Sequence, residues 1–191
     1  MTTAYRQEKQ LIIEAGRRLW QRGMVGANDG NISCRIPGGY LITRSGVSKG
    51  FMNEADILLL DEHGQAIGDG PGHPSSETAM HLGIYQARPH TGAIVHAHPP
   101  YATAFALAGV DINQAQLEEL RIQLGQVAMI AYAPAGTAEL AQAASAAMAD
   151  KRAGLLLRHG AIAAGADLNE AFYRIEALEQ AAKIIWLSRQ L

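Results

Sequence analysis

Two histidines one residue apart, in Ala93-Ile94-Val95-His96-Ala97-His98-Pro99-Pro100, and a third in Arg158-His159-Gly160 are the side chains of this sequence best suited to bind a metal. The first run is apolar and ends at two prolines, which cannot continue a hydrogen-bonded ladder, so it reads as a buried strand. Alternation along a strand puts Ile94, His96 and His98 on one face and Val95 and Ala97 on the other. Two imidazoles on one face can chelate one divalent ion. The third ligand must come from elsewhere, and His159 is best placed, at the end of a second strand-like run, Gly154-Leu155-Leu156-Leu157-Arg158. Three nitrogen ligands with an open position are the pattern of a catalytic zinc, and one cysteine (Cys34) without a CxxC argues against a structural one. A single histidine of this kind would be read as a core residue bonded to backbone. His-x-His followed by a third histidine shifts the balance to a metal.

A second set of residues suits an anion. Gly30-Asn31 opens one strand-like run, Thr43-Arg44-Ser45-Gly46 leaves another, and Ser75-Ser76 begins a helix-like one. Free N–H groups and a partial positive charge at a helix start favour phosphate, serine hydroxyls add donors, and glycines allow close backbone approach. Glu77 follows in the expected first turn, where a carboxylate is favoured by the helix dipole whatever its role. Beside a metal it becomes a base or a fourth ligand, and the matching chemistry is proton removal next to a polarised carbonyl.

These groups need a scaffold. An amphipathic helix is expected from Thr3 to Arg22, with Leu11, Ile12, Ala15 and Leu19 on its apolar side and Gly23 as its stop. Asn31–Ile36 and Tyr40–Thr43 read as a hairpin and Ile57–Asp61 as a third strand. Ser75 is the expected N-cap of a helix running to about Ala87. After the histidine strand come a short helix over Tyr101–Leu107, a strand over Val127–Tyr132 and an alanine-rich helix over Ala138–Ala149. The strand-like run before His159 follows. Asp167-Leu168-Asn169-Glu170 resembles a capping box opening the last helix. This order predicts one mixed or antiparallel sheet with helices on both faces, in a single domain spanning 1–191. No G-x-G-x-x-G follows the first strand and no phosphate-loop motif occurs.

Composition agrees with an ordinary soluble globular protein. The 191 residues are 48% hydrophobic and 18% charged, with a net charge of -2 and no Lys/Arg cluster, which leaves no electrostatic case for nucleic acid or an anionic membrane. No apolar stretch approaches a membrane span, and the polar N-terminus lacks the apolar segment of a signal peptide. One cysteine supplies no intrachain disulfide, so a cytoplasmic location is expected.

Taken together, Gly30-Asn31-Ile32-Ser33, Thr43-Arg44-Ser45-Gly46-Val47-Ser48-Lys49-Gly50, Pro74-Ser75-Ser76-Glu77, His96-Ala97-His98-Pro99 and His159-Gly160 resemble the ordered motifs of the class II aldolase and adducin family, over about Leu11 to Leu187. The resemblance implies an α/β/α sandwich with a mostly antiparallel central sheet. It also implies a homotetramer with sites near subunit interfaces, and a small phosphorylated sugar as substrate. It further implies that His96, His98 and His159 bind zinc, that Glu77 is general base and resting-state ligand, and that Asn31, Ser45, Gly46, Ser75 and Ser76 hold the phosphate. Manganese, cobalt or iron also suits such ligands. The implied reaction is cleavage of a ketose 1-phosphate to dihydroxyacetone phosphate and an aldehyde through a metal-stabilised enediolate. Epimerisation at C4, decarboxylation and dehydration use the same intermediate type, and a non-catalytic scaffold is the alternative. Two features depart from the family: the last helix is expected to end almost at Leu191, leaving no tail to supply a tyrosine, and Asp29 is awkward beside a phosphate unless it points away.

Overall fold

The computed structural model describes residues 5–68, 70–115 and 117–191. Eight strands form one sheet: β1 (Asn31–Ile36), β2 (Gly39–Thr43), β3 (Ile57–Asp61), β4 (Ala66–Ile67), β5 (Ala93–Ala97), β6 (Ala128–Ile130), β7 (Ala153–Leu156) and β8 (Gly160–Gly165). Their spatial order is β4-β3-β2-β1-β5-β8-β7-β6, and every neighbouring pair is antiparallel except β6 with β7. The helices are α1 (Arg6–Gln21), α2 (Thr78–Ala87), α3 (Pro100–Ala108), α4 (Glu118–Leu124), α5 (Ala138–Met148) and α6 (Leu168–Ser188). The mixed sheet with helices on both faces matches the expected architecture.

Side-chain alternation on the strands divides the core in two. Ala93, Val95 and Ala97 of β5 and Ala161 and Ala163 of β8 face α1, α3, α4 and α6, whose Leu19, Phe105, Leu124 and Phe172 complete the larger cluster. Ile94, Ile162 and Ala164 face the other way, onto Met80 and Ile84 of α2 and Leu140 and Ala144 of α5. A one-residue slip would exchange these faces, so the pattern sets the register.

Several boundaries differ from expectation. The predicted start of the first helix at Thr3 lies outside the described residues, and Leu11 is exposed rather than on the apolar side. The strand expected over Val127–Tyr132 is only Ala128–Ile130, and Tyr132 follows it in a loop. The strand before His159 stops at Leu156, because β7 and β8 form a hairpin through Leu157, Arg158 and His159. Strand β8 was not anticipated: Gly-Ala-Ile-Ala-Ala-Gly has little of the β-branched and aromatic content that marks a strand. Its small residues serve close packing. A Cβ on Gly165 would lie 2.4 Å from the Ala171 nitrogen of α6. Helix α4 and strand β4 were likewise unforeseen, being only seven and two residues long.

Helix α2 begins at Thr78, later than the predicted Ser75 cap. Ser75 still organises the turn, since its carbonyl accepts from the Thr78 amide at 3.0 Å and its hydroxyl accepts from the Glu77 amide at 3.3 Å. Glu77 thereby occupies the N-cap position without capping the helix, which frees its carboxylate for other contacts. At α6, Asp167 accepts from the Glu170 amide at 2.8 Å, as a capping residue should, but the Glu170 carboxylate reaches back to the Ala166 amide instead of Asp167. The reciprocal half of the expected box is thus displaced by one residue.

One polar strip interrupts the smaller core. Ser33 Oγ lies 2.7 Å from His81 Nδ1 and 2.8 Å from the Tyr85 hydroxyl, while buried His81 Nε2 has no partner. Burial pulls the His81 imidazole down to about 3, with His96 adding to the effect.

Two predictions follow from these contacts. Asp167→Ala should lower the unfolding free energy by about 1 kcal/mol in urea titrations at pH 7, through loss of the α6 cap. Because His81 is neutral when folded and takes a proton when unfolded below about pH 6.5, its contribution is present above that pH and is lost as pH falls toward 3. At pH 5 this should amount to about 2 kcal/mol, and His81→Gln should flatten the stability–pH curve over that interval.

Candidate metal centre and anion cleft

His96 is the residue around which the site is built. Its β5 register sets it directly opposite Asn31 of β1 and Ile162 of β8, and it is fully buried. His96 Nδ1 lies 2.9 Å from the Ala161 carbonyl, an oxygen that can only accept, so Nδ1 carries the proton and Nε2 presents a lone pair. The plainer reading of a core histidine bonded to backbone is therefore correct for one ring nitrogen, and it is what aims the other.

His98 lies one residue beyond β5, and its amide donates to the Met24 carbonyl at 2.9 Å. His159 is the last residue of the β7–β8 loop. That loop is tied down on three sides: the Leu157 amide donates to Ile130, the Arg158 amide to Ala106 and the His159 amide to Leu156. Arg158 adopts a left-handed conformation (φ 60°), of the kind a three-residue hairpin uses to reverse direction. The result brings the three imidazoles together, with ring centroids 4.8 to 5.1 Å apart.

The donor chemistry fits a metal ion. One nitrogen from each of His96, His98 and His159 falls within 4.8 Å of the others, and the set could hold a cation. His96 Nε2 and His98 Nε2 face each other at 3.2 Å, His159 Nδ1 is buried without a partner, and so is Glu77 Oε1. Three gathered imidazoles beside a buried carboxylate oxygen that accepts no hydrogen bond leave polar atoms unsatisfied, which a cation bound among them would correct. A Cβ on Gly160 would stand 2.6 Å from His98 Cδ2 and 2.7 Å from the Ala97 carbonyl, so the absence of a side chain there is what lets the hairpin close on His98.

Glu77 closes the group. Its Oε2 lies 3.2 Å from His96 Nε2 and accepts from Asn31 Nδ2 at 2.8 Å, and its Oε1 lies 3.5 Å from His159 Nε2. Burial alone raises the Glu77 carboxyl; the adjacent His96, with the Asn31 amide and then His159, outweighs burial and holds it well below the usual carboxylate range. Burial, then the neighbouring His96 and His159, pulls His98 down to about 4. Burial, then the neighbouring His96, likewise lowers His159.

Asp29, read as an awkward neighbour for a phosphate, points at the histidines: its Oδ2 is 3.6 Å from His98 Nδ1. This contact was missed because it depends on the turn over residues 26–30, where Gly30 adopts a φ of 70° and a Cβ would strike the His96 carbonyl at 2.7 Å. Any other residue at position 30 would push this turn away from β5.

The anion residues line one cleft of about 190 Å³, with Asn31, Ser45, Gly46, Ser75 and Ser76 on its walls and Glu77, His98 and His159 at its base. Short antiparallel contacts join the walls: the Ser45 amide donates to the His73 carbonyl and the Ser75 amide to the Thr43 carbonyl. Asn31 turns out to be partly committed, since its amide nitrogen holds Glu77. The volume is below the ~300–1,000 Å³ typical of drug-sized pockets, so the room suits a small molecule. Larger hollows, of about 360 and 730 Å³, have no comparable convergence of ligating groups. Among the described residues, no helix is long and apolar enough to cross a membrane.

Comparison with known proteins agrees with this geometry. The chain is 37% identical over 173 residues to L-fuculose phosphate aldolase of Methanococcus vannielii, covering 91% of this chain and 92% of that protein. It is also 32% identical over 185 residues to 3-oxo-tetronate 4-phosphate decarboxylase of Haemophilus influenzae, covering 94% and 87%. A solved structure of an L-fuculose 1-phosphate aldolase superposes with a TM-score of 0.86 at 35% identity, covering 95% of this chain and 86% of that one. The sequence pattern of the class II aldolase and adducin N-terminal domain matches residues 10–186, and the chain belongs to that family.

Proposed function

We propose that this protein is a metal-dependent aldehyde-lyase that cleaves a ketose 1-phosphate between C3 and C4 to dihydroxyacetone phosphate and an aldehyde. The observation that carries the reading is Glu77, a buried carboxylate 3.2 Å and 3.5 Å from two imidazoles of a three-histidine set, at the base of a cleft with serine-bearing walls. His96, His98 and His159 are the ligands, with Glu77 as a fourth before substrate arrives, and zinc is the favoured metal. When bound, the ion would polarise the substrate carbonyl and stabilise the negative charge of the enediolate.

The chain's own groups then divide the work. Ser45, Gly46, Ser75 and Ser76 bind the phosphate, and Asn31 spans the phosphate side and Glu77. In cleavage, the C3–C4 electron pair remains on C3 while the C4 hydroxyl loses its proton and becomes the aldehyde. Displaced from the ligand set by substrate, the Glu77 carboxylate takes up a proton from solvent and gives it to C3; in synthesis the carboxylate removes that proton and returns it to solvent. Away from the metal, Glu77 keeps the Asn31 N–H, and burial works against its charged form and so favours proton uptake. Among the described residues lining the cleft there is no tyrosine. Tyr132 is exposed and stacks on Arg158. Glu118 and Arg121 pair with each other on the surface of α4. A homotetramer, with a neighbour supplying the group that takes the C4 hydroxyl proton, completes the proposal.

A second reading, decarboxylation of a 3-oxo acid phosphate, draws on the relative that bears that activity in its name. It too needs Glu77 to protonate an enediolate. Stereospecific exchange of the C3 proton of dihydroxyacetone phosphate in deuterated water, followed by NMR, tests the first reading without knowledge of the aldehyde. Wild type should exchange, and Glu77→Gln should reduce the rate by about 10²–10⁴-fold while retaining metal. Unchanged exchange in Glu77→Gln would remove Glu77 as the base, and absence of exchange in metal-loaded wild type would favour the decarboxylase. Elemental analysis should find about one equivalent of zinc per chain in wild type and little in His96→Ala or His159→Ala.

A further inference from the structure

Charge within the cleft is unbalanced in a way that the proposed phosphate site leaves unexplained. Asp29 and Glu77 both line it. Of the two cations on its walls, Arg44 is engaged with Asp56, Nε to Oδ1 at 2.6 Å. The other is Lys49, only 2% exposed; among the described residues it forms no ion pair, and Asp29 and Asp56 act on it only from a longer range. Lys49 Nζ donates to the Asn28 carbonyl at 3.1 Å and the Val47 carbonyl at 2.6 Å, which uses two of the ammonium's three donors. A buried ammonium is costly unless its remaining donor and its charge are matched.

The fold fixes this lysine firmly. It opens a 3-10 turn over Lys49–Phe51 that is seated against α1, where a Cβ on Gly16 would lie 2.7 Å from the Lys49 carbonyl. Its two carbonyl partners belong to opposite walls. Asn28 precedes the Asp29-Gly30-Asn31 turn, and Val47 follows Ser45-Gly46. The ammonium is thus a clasp between the two walls as well as a charge beside both.

We propose that Lys49 is the specificity-determining cation of the anion cleft: it holds the 28–31 and 45–47 walls in register and turns its third N–H and its charge toward the phosphate of the substrate. This rests on the phosphate-site reading given above. A phosphate dianion entering the cleft passes Asp29 and Glu77, and of the two wall cations Arg44 is already engaged with Asp56, which leaves Lys49 to offset the repulsion from the carboxylates on the phosphate side. Lys49 touches no reacting atom in this account, so its effect belongs to affinity and not to the proton transfer at Glu77.

Lys49→Gln retains a group able to donate to a carbonyl but removes the charge, and Lys49→Arg restores the charge. The experiment is calorimetric titration of the metal-loaded protein with inorganic phosphate, alongside KM and kcat for the dihydroxyacetone phosphate exchange reaction. Lys49→Gln should weaken phosphate binding by ~10- to 100-fold, the range for loss of a hydrogen bond to a charged group, and raise KM in parallel with kcat unchanged. Lys49→Arg should recover most of that loss. Wild-type phosphate affinity in folded Lys49→Gln overturns the proposal, as does an equal fall in kcat that arginine fails to rescue. If Lys49→Gln does not fold, wild type labelled at lysine Cε and titrated with phosphate decides: a shift of the Lys49 signal supports the contact, and an unmoved signal at saturation overturns it. Lys49-dependent phosphate binding without exchange on dihydroxyacetone phosphate would sink the aldolase reading and leave the assignment of Lys49 intact.

Discussion

The buried contact between Glu77 and His96 is the constraint on which the rest of the site depends. A carboxylate removed from water is costly, and here the Asn31 amide donates to one of its oxygens while His96 Nε2 lies 3.2 Å away, so the group is complete only with a cation between them. Those two partners are cross-strand neighbours, because β1 and β5 pair in a register that sets Asn31 opposite His96. The carboxylate itself reaches them because α2 starts late, leaving Glu77 at the helix entrance with no capping bond to make. Three elements must therefore agree before this one contact forms.

Small residues make that agreement possible. Gly30 brings the Asp29 turn against β5, and Gly160 lets the β7–β8 hairpin carry His159 up to His98. Alanine on β5 and β8 lets α3 and α6 lie close on the larger core face, while Ile94 and Ile162 fill the other. The hairpin that carries His159 is bonded to β6, β7 and α3, so an imidazole that sits on a loop is held by the sheet and a helix. Rigid support of this kind is what a site needs if its ligands are to hold a fixed geometry before anything binds.

The outer half of the site is organised by charge rather than packing. Lys49 links the two backbone walls, Arg44 is held by Asp56, and Asp29 turns to His98. The polar groups of the cleft walls and the imidazoles are consequently adjacent, with Asn31 and Glu77 between them. Such a division suits a substrate with a phosphate at one end and a polarised carbonyl at the other.

Local signals in the sequence determined much of this. The alternation around His96, the terminating prolines, the paired serines before Glu77 and the third histidine after an apolar run identified the residues that the fold gathers, because each signal depends on nearest neighbours and on periodicity. The family motifs likewise marked the chemistry. What needed tertiary structure was every relation between distant segments. Strand β8 escaped notice because its glycines and alanines are chosen for contact with α6 and His98, not for strand propensity. Asp29 could not be assigned to His98, nor Lys49 to the Asn28 carbonyl, from spacing alone, since both contacts cross between turns. The Asn31 amide was read as a phosphate donor, and only the β1–β5 register shows that it also holds Glu77. Local sequence chose the groups; long-range packing decided their partners, because hydrogen bonds and charge pairs between segments form only where the two cores and the sheet register bring them together.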